Sequence, residues 1–344
     1  LCMRPLLHLM NTPENIFAQA YEYISLISLG MVANVFYNLF SSYLRAVGNS
    51  RMPLVFLVLS ACLNVVLDLI LIINFKMGVA GAAWATNLSQ AISAVLCAVY
   101  IYKKVPALMP EKRHWRFHKG DTRYQLATGI PMALQFAITS SGTMVMQSAI
   151  NLFGSEAVAA YTAAGKIHGL LTQGMVAMGQ TMAVYSGQNY GKGDAGRIRQ
   201  GVRAALIIEV IYSIVSAVVV SAALGPSLGL FFSGEVDLAA MMPWARTYTT
   251  ICTLFYVPLC TIFIFRNTMQ GCGYGFLPMM GGVVELAARL IVAVIAMDIH
   301  SYWLACACDP AAWVGAGLFT GISYLYVIKK IEKSLGKGTA VHKS

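Results

Sequence analysis

The sequence predicts an all-α polytopic membrane protein whose helices form a two-lobe bundle. Three observations support this fold class. First, 58% of the 344 residues are hydrophobic and only 11% are charged, whereas soluble domains carry about 25% charged residues. Second, apolar windows of membrane-crossing length recur along the whole chain. Third, the two ends of the sequence resemble each other weakly at a constant offset, which indicates an internal repeat.

Nine apolar windows are long enough to cross a hydrocarbon core of about 30 Å at about 1.5 Å per helical residue. The predicted spans are 21–43, 53–75, 79–102, 126–152, 157–189, 203–223, 241–265, 277–297 and 303–328. The fifth is long for a single crossing, so we expect its ends to lie outside the bilayer. The sequence therefore predicts about nine transmembrane helices.

The formal net charge of +10 comes from Lys and Arg in short blocks between spans, not along one face. This distribution argues against nucleic acid as a partner and follows the positive-inside rule. The basic blocks follow the first, third, fifth and ninth spans, and Arg266 is predicted to lie in the connection after the seventh. We therefore expect these connections and the C-terminus to be cytoplasmic.

An offset of 225 residues aligns the seventh and eighth spans with the first and second. The identical pairs include Ala20/Ala245, Tyr23/Tyr248, Phe40/Phe265, Gly48/Gly273 and Pro53/Pro278. Since the paired spans run in the same direction, the repeat is parallel, about an axis normal to the membrane. The last six spans form one complete unit, so we expect the first unit to lack its opening three helices, nine being present of twelve.

This repeat predicts the domain organisation. The predicted parts are a truncated N-lobe (1–102), a cytoplasmic linker (103–124), a six-helix C-lobe (125–330) and a cytoplasmic tail (331–344). Residues 1–16 are expected to be the outer end of the missing third helix.

Asp68 is the only charge in the apolar run 53–75, and a carboxylate within a membrane costs at least about 2.5 kcal/mol. Asn64 lies one helical turn earlier on the same face. Thr86 lies as far after Met77, where the hairpin turns, as Asp68 lies before it. The three residues supply oxygen ligands that suit a hard cation. Because burial also disfavours a charged carboxylate, the cluster could hold Na⁺ or a proton. The alternative is a satisfied buried polar cluster without a coupling role.

Other polar groups in the spans suggest different roles. Glu285 and Arg289 are four residues apart, so they can form a structural ion pair on one helix face. The cysteines lack metal-ligand spacing, and we expect no metal beyond Na⁺ at Asp68 and no cofactor. The stretches GCGYG (271–275) and GQNYGKGD (187–194) do not match nucleotide-binding motifs and are predicted to be turns. No HExxH or GxSxG motif indicates an enzyme.

Several stretches together resemble the MATE (multidrug and toxic compound extrusion) transporters, of the bacterial DinF-like kind. They are YLRAVGNSRMP (43–53), NVVLD (64–68), GVAGAAWAT (78–86), GIPMALQF (129–136), AVAAYTAAGKI (157–167), GQNYGKGDAGRIRQG (187–201) and MQGCGYGFLPMMGGVVELAARL (269–290). The resemblance implies twelve helices in two lobes within the bacterial plasma (inner) membrane. It also implies efflux of drugs or metabolites by alternating access, driven by Na⁺ or H⁺ entry.

In such relatives the N-lobe ion site uses an acid on the first helix, an Asn and an Asp four apart on the fifth, and a Thr on the sixth. By this resemblance Asn64, Asp68 and Thr86 would form the cation-coupling site. The fourth span of this chain holds Gln135, Gln147 and Asn151 but no acid, which argues against a C-lobe ion site on that helix.

The resemblance further implies a monomer that exports small, amphipathic, cationic organic molecules from a cavity between the lobes. The polar residues expected to line this cavity are Asn34, Gln147, Asn151 and Lys166. The alternative is a lipid-linked oligosaccharide flippase of the same superfamily, whose cavity should carry several arginines. Only Arg246 and Arg289 lie within predicted spans, which argues against this alternative.

Overall fold

The structure is a computed structural model of the chain, and it describes residues 3–5, 14–111, 116–231 and 238–341. Most of the predicted third-helix remnant (1–16), the middle of the linker and the end of the tail lie outside the described residues. The chain divides into two compact units, Leu1–Phe117 and His118–Ser344. The division falls inside the predicted linker, while the exact lobe boundaries stay predictions.

The first unit contains three long helices, which occupy the positions of the first three predicted spans. They are α1 (Glu14–Ala46), α2 (Arg51–Leu69) and α3 (Gly78–Lys104). A π-helical turn, Ile70–Asn74, continues α2, and a 3₁₀ turn, Pro106–Leu108, follows α3. The core of this unit is small and includes Leu44, Phe56 and Cys97.

The second unit contains eight helices within the described residues. They are α4 (Lys119–Asn151), α5 (Ser155–Lys192), α6 (Ala195–Phe231), α7 (Leu238–Leu254), α8 (Tyr256–Gly271), α9 (Phe276–Asp298), α10 (Tyr302–Cys306) and α11 (Cys308–Val341). Its core is extensive and alanine-rich, which lets the helices approach closely.

The all-α membrane fold is confirmed, because the described residues form helices at every predicted span. By length and composition, six helices of the described chain can cross a membrane, and a seventh is counted if α7 and α8 form one span. Helices α4 and α5 do not meet that test, so the count of nine crossings stays a prediction. In GQNYGKGD the structure corrects the predicted turn, since α5 continues to Lys192 and only Gly193–Asp194 form the turn.

Two predicted spans are interrupted. A bend of 50° separates α7 from α8 at Phe255, and Ala307 separates α10 from α11. Proline explains both breaks, because Pro258 and Pro310 have no N–H to donate to the carbonyl four residues earlier. The bend at Phe255 interrupts the predicted span 241–265, and the break at Ala307 interrupts the predicted span 303–328.

The turn between α1 and α2 has the same geometry as the turn between α8 and α9. Gly48 and Gly273 both have φ of 84°. Gly48 N–H donates to the carbonyl of Arg45 and Asn49 N–H donates to that of Leu44; Gly273 and Tyr274 donate to Gln270 and Met269. This paired pattern is the Schellman motif, which favours glycine at the left-handed position. The shared geometry supports the repeat at an offset of 225 residues.

Glycines also set the helix spacing in the first unit. A Cβ at Gly30 of α1 would lie 1.8 Å from Asn87 Oδ1 of α3, and a Cβ at Gly81 would lie 3.2 Å from the Leu71 backbone. Asn87 Nδ2 donates to the carbonyl of Leu26 across the α1–α3 contact, at 2.7 Å. These contacts fix α3 against its neighbours at the depth of Thr86.

Candidate cation site and ion network

Asp68 lies in the last turn of α2, immediately before the π-helical turn. In that turn Phe75 N–H donates to the carbonyl of Ile70, five residues back, at 3.1 Å. Such π-helical turns frequently occur at functional sites. The Asp68 side chain is half-buried, and its Oδ1 atom is buried without a hydrogen-bond partner among the described residues.

The structure brings two of the three predicted site residues together. Asn64 Nδ2 donates to Thr86 Oγ1 at 3.4 Å, and Thr86 Oγ1 donates to the carbonyl of Ala82 at 3.0 Å. The bond joins α2 to α3 and leaves Asn64 Oδ1 as an acceptor. Asp68 lies one helical turn from Asn64, and no hydrogen bond joins it to the Asn64–Thr86 pair.

This arrangement has the chemistry of a small-cation or proton site. A buried carboxylate oxygen without a donor is costly, so it favours either a proton or a cation that restores the lost interaction. The amide oxygen of Asn64 and the hydroxyl of Thr86 are further hard ligands. The residues therefore fit Na⁺ or H⁺. In the described part of the chain no group of three or more His, Cys, Asp and Glu side chains could hold another metal.

The second unit contains a buried network of four charges. Glu285 Oε1 contacts Arg289 Nη2 at 3.1 Å, and Glu285 Oε2 contacts Arg266 Nη2 at 3.0 Å. Arg289 Nε contacts Asp309 Oδ1 at 2.8 Å. The predicted Glu285–Arg289 contact is thus present, within a larger network that links α8, α9 and α11. Whether its role is structural stays a prediction.

The structure contradicts the assignment of Arg266 to a cytoplasmic connection. Helix α8 continues to Gly271, six residues beyond the predicted end of the span, and Arg266 is 8% exposed. The polar stretch FRNTMQG lowers the hydropathy at the end of this span, yet several of its side chains find partners inside the unit: Arg266 Nη2 contacts Glu285, Asn267 Nδ2 donates to the carbonyl of Phe263, and Gln270 Nε2 donates to Gln135 Oε1. Asp309 was not predicted to join this network, because no spacing in the sequence links α11 to α9.

The position of Arg266 inside α8 also matters for the alternative function, a lipid-linked oligosaccharide flippase. The cavity of such a flippase should carry several arginines, and Arg266 is one more arginine within a helix. Arg266 and Arg289 both contact Glu285, and Arg289 also contacts Asp309. Their charges are therefore compensated inside the second unit. They do not supply the uncompensated positive surface that an oligosaccharide pyrophosphate would need.

The predicted cavity residues are distributed over both units. In the first unit Asn34 Nδ2 donates to Gln90 Oε1 at 2.7 Å and its Oδ1 accepts from Asn38. In the second unit Gln147 Nε2 donates to Asn151 Oδ1 at 2.8 Å, and Lys166 is exposed. A substrate cavity lined by all four residues stays a prediction.

An aromatic cluster lies beside the ion network and was not predicted. His168 Nδ1 lies 2.8 Å from Tyr256 Oη, and the His168 ring stacks on Trp313 with a centroid distance of 5.6 Å. His168 points into the core, whereas Lys166, two residues earlier, is exposed. His168 thus connects α5 to α8 and α11.

The helical fold, the long apolar helices and the polar cluster inside one of them define a multi-pass membrane protein of the transporter class. The sequence profile described as MatE matches residues 1–70 and 131–295, which is more than half of the chain. The chain therefore belongs to the MATE family of transporters.

The relatives and solved structures agree with this assignment. The chain is 33% identical over 195 residues to the probable multidrug resistance protein YpnP of Bacillus subtilis, covering 56% of this chain and 43% of YpnP. It is 25% identical over 240 residues to YoeA of the same organism, covering 68% and 52%. The chain thus spans about half the length of these curated relatives.

The fold itself matches the crystal structure of a MATE protein in the bent conformation, with a TM-score of 0.88 and 19% identity. The match covers 97% of this chain and 74% of the other. At this identity the likeness shows the fold alone.

Proposed function

We propose that the full-length protein is a cation-coupled antiporter that exports amphipathic drugs or metabolites by alternating access between two lobes. The coupling ion is Na⁺ or H⁺, and the substrates are small organic cations. The protein acts as a monomer in the bacterial plasma membrane, with its C-terminus in the cytoplasm. Membership of the MATE family supports transport, and the multidrug-resistance names of its relatives support efflux.

One observation carries the proposed coupling mechanism: a half-buried carboxyl group, inside an apolar helix, has an oxygen without a hydrogen-bond donor. A permanent structural role would leave that cost uncompensated. A transient cation or proton removes it for part of each cycle. Asp68 is therefore proposed to carry the exchangeable charge, while Asn64 and Thr86 supply the neutral oxygens.

The proposed mechanism links binding to helix movement. An ion that reaches Asp68 from outside neutralises the carboxylate and draws in Asn64, which already bonds to Thr86 on α3. The π-helical turn after Asp68 contains one extra residue per turn, so its relaxation shifts the register of the end of α2. This shift rearranges the N-lobe helices and expels the substrate.

The test is gradient-driven efflux of a fluorescent organic cation from vesicles that contain the full-length transporter. Sodium and proton gradients are imposed separately, so that the coupling ion is identified. Asp68→Asn is expected to reduce gradient-driven efflux at least tenfold, because the amide cannot exchange a charge. Asp121→Asn, at an exposed acid in α4, is the matched control. Normal gradient-driven efflux by D68N would exclude the assigned role.

A further inference from the structure

We propose that the groove between α6 and α11 is a binding site for an anionic phospholipid, with the headgroup at Arg203 and the acyl chains along the two helices. The groove belongs entirely to the second unit and is remote in sequence from the Asp68 cluster. It does not depend on the proposed transport mechanism.

The groove has a volume of about 840 Å³, and its lining changes from polar to apolar along its length. Arg199, Gln200 and Arg203 line the polar end, while Leu206, Leu325 and Ile328 belong to the apolar part. Phe265 and Tyr324 form part of the wall and stack with their centroids 5.1 Å apart. Gly321 lies against Phe265, where a Cβ would be 3.5 Å from the ring.

The polar end carries one arginine whose charge is compensated and one whose charge is not. Arg199 Nε contacts Glu332 Oε1 at 3.0 Å, and its Nη2 donates to Glu332 Oε2 at 3.2 Å. This two-point ion pair connects α6 to α11 across the mouth of the groove. Arg203 is exposed, one helical turn from Arg199, and makes no hydrogen bond or ion pair with the residues that the structure describes.

Both helices continue from the charged end as exposed apolar ridges. On α6 the ridge follows the helical repeat from Arg203 through Ile207, Ile211, Ile214 and Val218. On α11 it runs from Ile328 back through Leu325, Ile322 and Leu318. Apart from the buried Ile328, each apolar side chain in these ridges is more than half exposed. Two apolar ridges that lead away from the charged end of the groove match a molecule with an anionic head and two hydrocarbon chains.

The charge pattern favours an anionic phospholipid over a zwitterionic one. The guanidinium of Arg203 presents several N–H donors that match phosphate oxygens, and Lys329 adds a second exposed cation on α11 near Ile328. A zwitterionic headgroup would bring its own cation next to these two. Basic sites between helices on the cytoplasmic side suit anionic headgroups, and the positive-inside rule assigns the basic ends of α6 and α11 to that side.

The experiment is native mass spectrometry of the detergent-solubilised protein, titrated with dioleoyl-phosphatidylglycerol or dioleoyl-phosphatidylcholine, which share their acyl chains. We expect the wild-type protein to retain the anionic lipid at least fivefold more than the zwitterionic lipid. Arg203→Gln should remove most of this preference. Arg197→Gln, at an exposed arginine on another face of α6, is the matched control and should keep it.

A second variant separates headgroup binding from chain binding. Ile207→Asn places a polar amide on the α6 ridge and should lower retention of both lipids, while the preference between them persists. Equal retention of the two lipids by the wild-type protein would overturn the proposal. So would an equal loss of preference in R203Q and R197Q, or an unchanged retention in I207N, because either result would show binding without this groove.

Discussion

Asp68 and Glu285 are both acids within apolar helices, yet their surroundings are opposite. Glu285 is 4% exposed, and each of its oxygens contacts an arginine. Asp68 is half-buried, and one of its oxygens is buried without a partner among the described residues. An acid whose oxygens all have partners stabilises one arrangement of helices. An acid with an oxygen that lacks a partner is suited to gain and lose a ligand. We infer that coupling is concentrated in the first unit and rigidity in the second.

The repeat makes this a comparison of equivalent helices. Helices α2 and α9 begin at Arg51 and Phe276, which are 225 positions apart, and both follow a Schellman turn. At that offset Asn64 corresponds to Arg289, and Asp68 corresponds to Ala293, which is fully buried. The equivalent helix therefore folds with a methyl group in place of the acid, and the shared scaffold does not require Asp68.

The largest expected effect comes from Glu285→Gln. This change leaves Arg266 and Arg289 buried with only Asp309 as an acidic partner, and breaking a buried ion pair in this way costs about 3–5 kcal/mol. We expect a corresponding loss in the free energy of unfolding, measured by denaturant titration of the detergent-solubilised protein.

The matched control is Glu332→Gln, which breaks the ion pair with Arg199. Both partners of that pair are more than a third exposed, so solvent screening limits its contribution to about 1 kcal/mol or less. If E285Q cost no more than E332Q, the buried network would not be what stabilises the second unit.

A medium effect is expected from Gly142→Ala on α4. The added Cβ would lie 2.7 Å from Arg289 Nη1, and Arg289 cannot withdraw because Glu285 and Asp309 hold it. Overpacking of this kind costs about 1–3 kcal/mol. The measurement is again the free energy of unfolding.

Gly129→Ala on the same helix provides the control, because a Cβ there has nothing within 4 Å. It should be neutral, or stabilising by up to about 1 kcal/mol, since alanine has the higher helix propensity. Equal effects of G142A and G129A would show that Arg289 moves freely.

The smallest expected effect on stability is that of Asp68→Asn. The amide has the same size as the carboxyl group, and the buried Oδ1 has no hydrogen-bond partner among the described residues to lose, so we expect the free energy of unfolding to change by less than about 1 kcal/mol. A loss as large as that of E285Q would reveal a structural partner for Asp68 and remove the contrast between the units.

The positions of the helices could be predicted from the sequence because each depends on local hydropathy over about twenty residues. Their interruptions were harder to predict. Pro258 is a visible signal for the bend at Phe255, but prolines are common in membrane helices and often leave them continuous. Pro131 lies inside α4, which continues to Asn151.

The candidate sites were predictable only where their residues lie on one helix or one hairpin. The hairpin predicted that Thr86 lies beside the Asn64 and Asp68 face at the depth of Asp68, whereas the hydrogen bond of Thr86 goes to Asn64, one helical turn away. Asp309 could not be assigned to Arg289, because their contact depends on how α11 packs against α9. Arg266 was misplaced because hydropathy cannot distinguish a polar helix end in water from one that is satisfied inside the protein.

The 50° bend at Phe255 separates two helices, α7 and α8, that have different anchors. The C-terminal half, α8, is held by Arg266 to Glu285 and by Tyr256 to His168. The N-terminal half, α7, is attached mainly through apolar and aromatic contacts, such as Tyr248 with Tyr161. Dispersion contacts tolerate sliding better than ion pairs with fixed geometry. Phe255 is therefore placed to act as a hinge, about which the α7 arm can tilt while the α8 arm stays clamped.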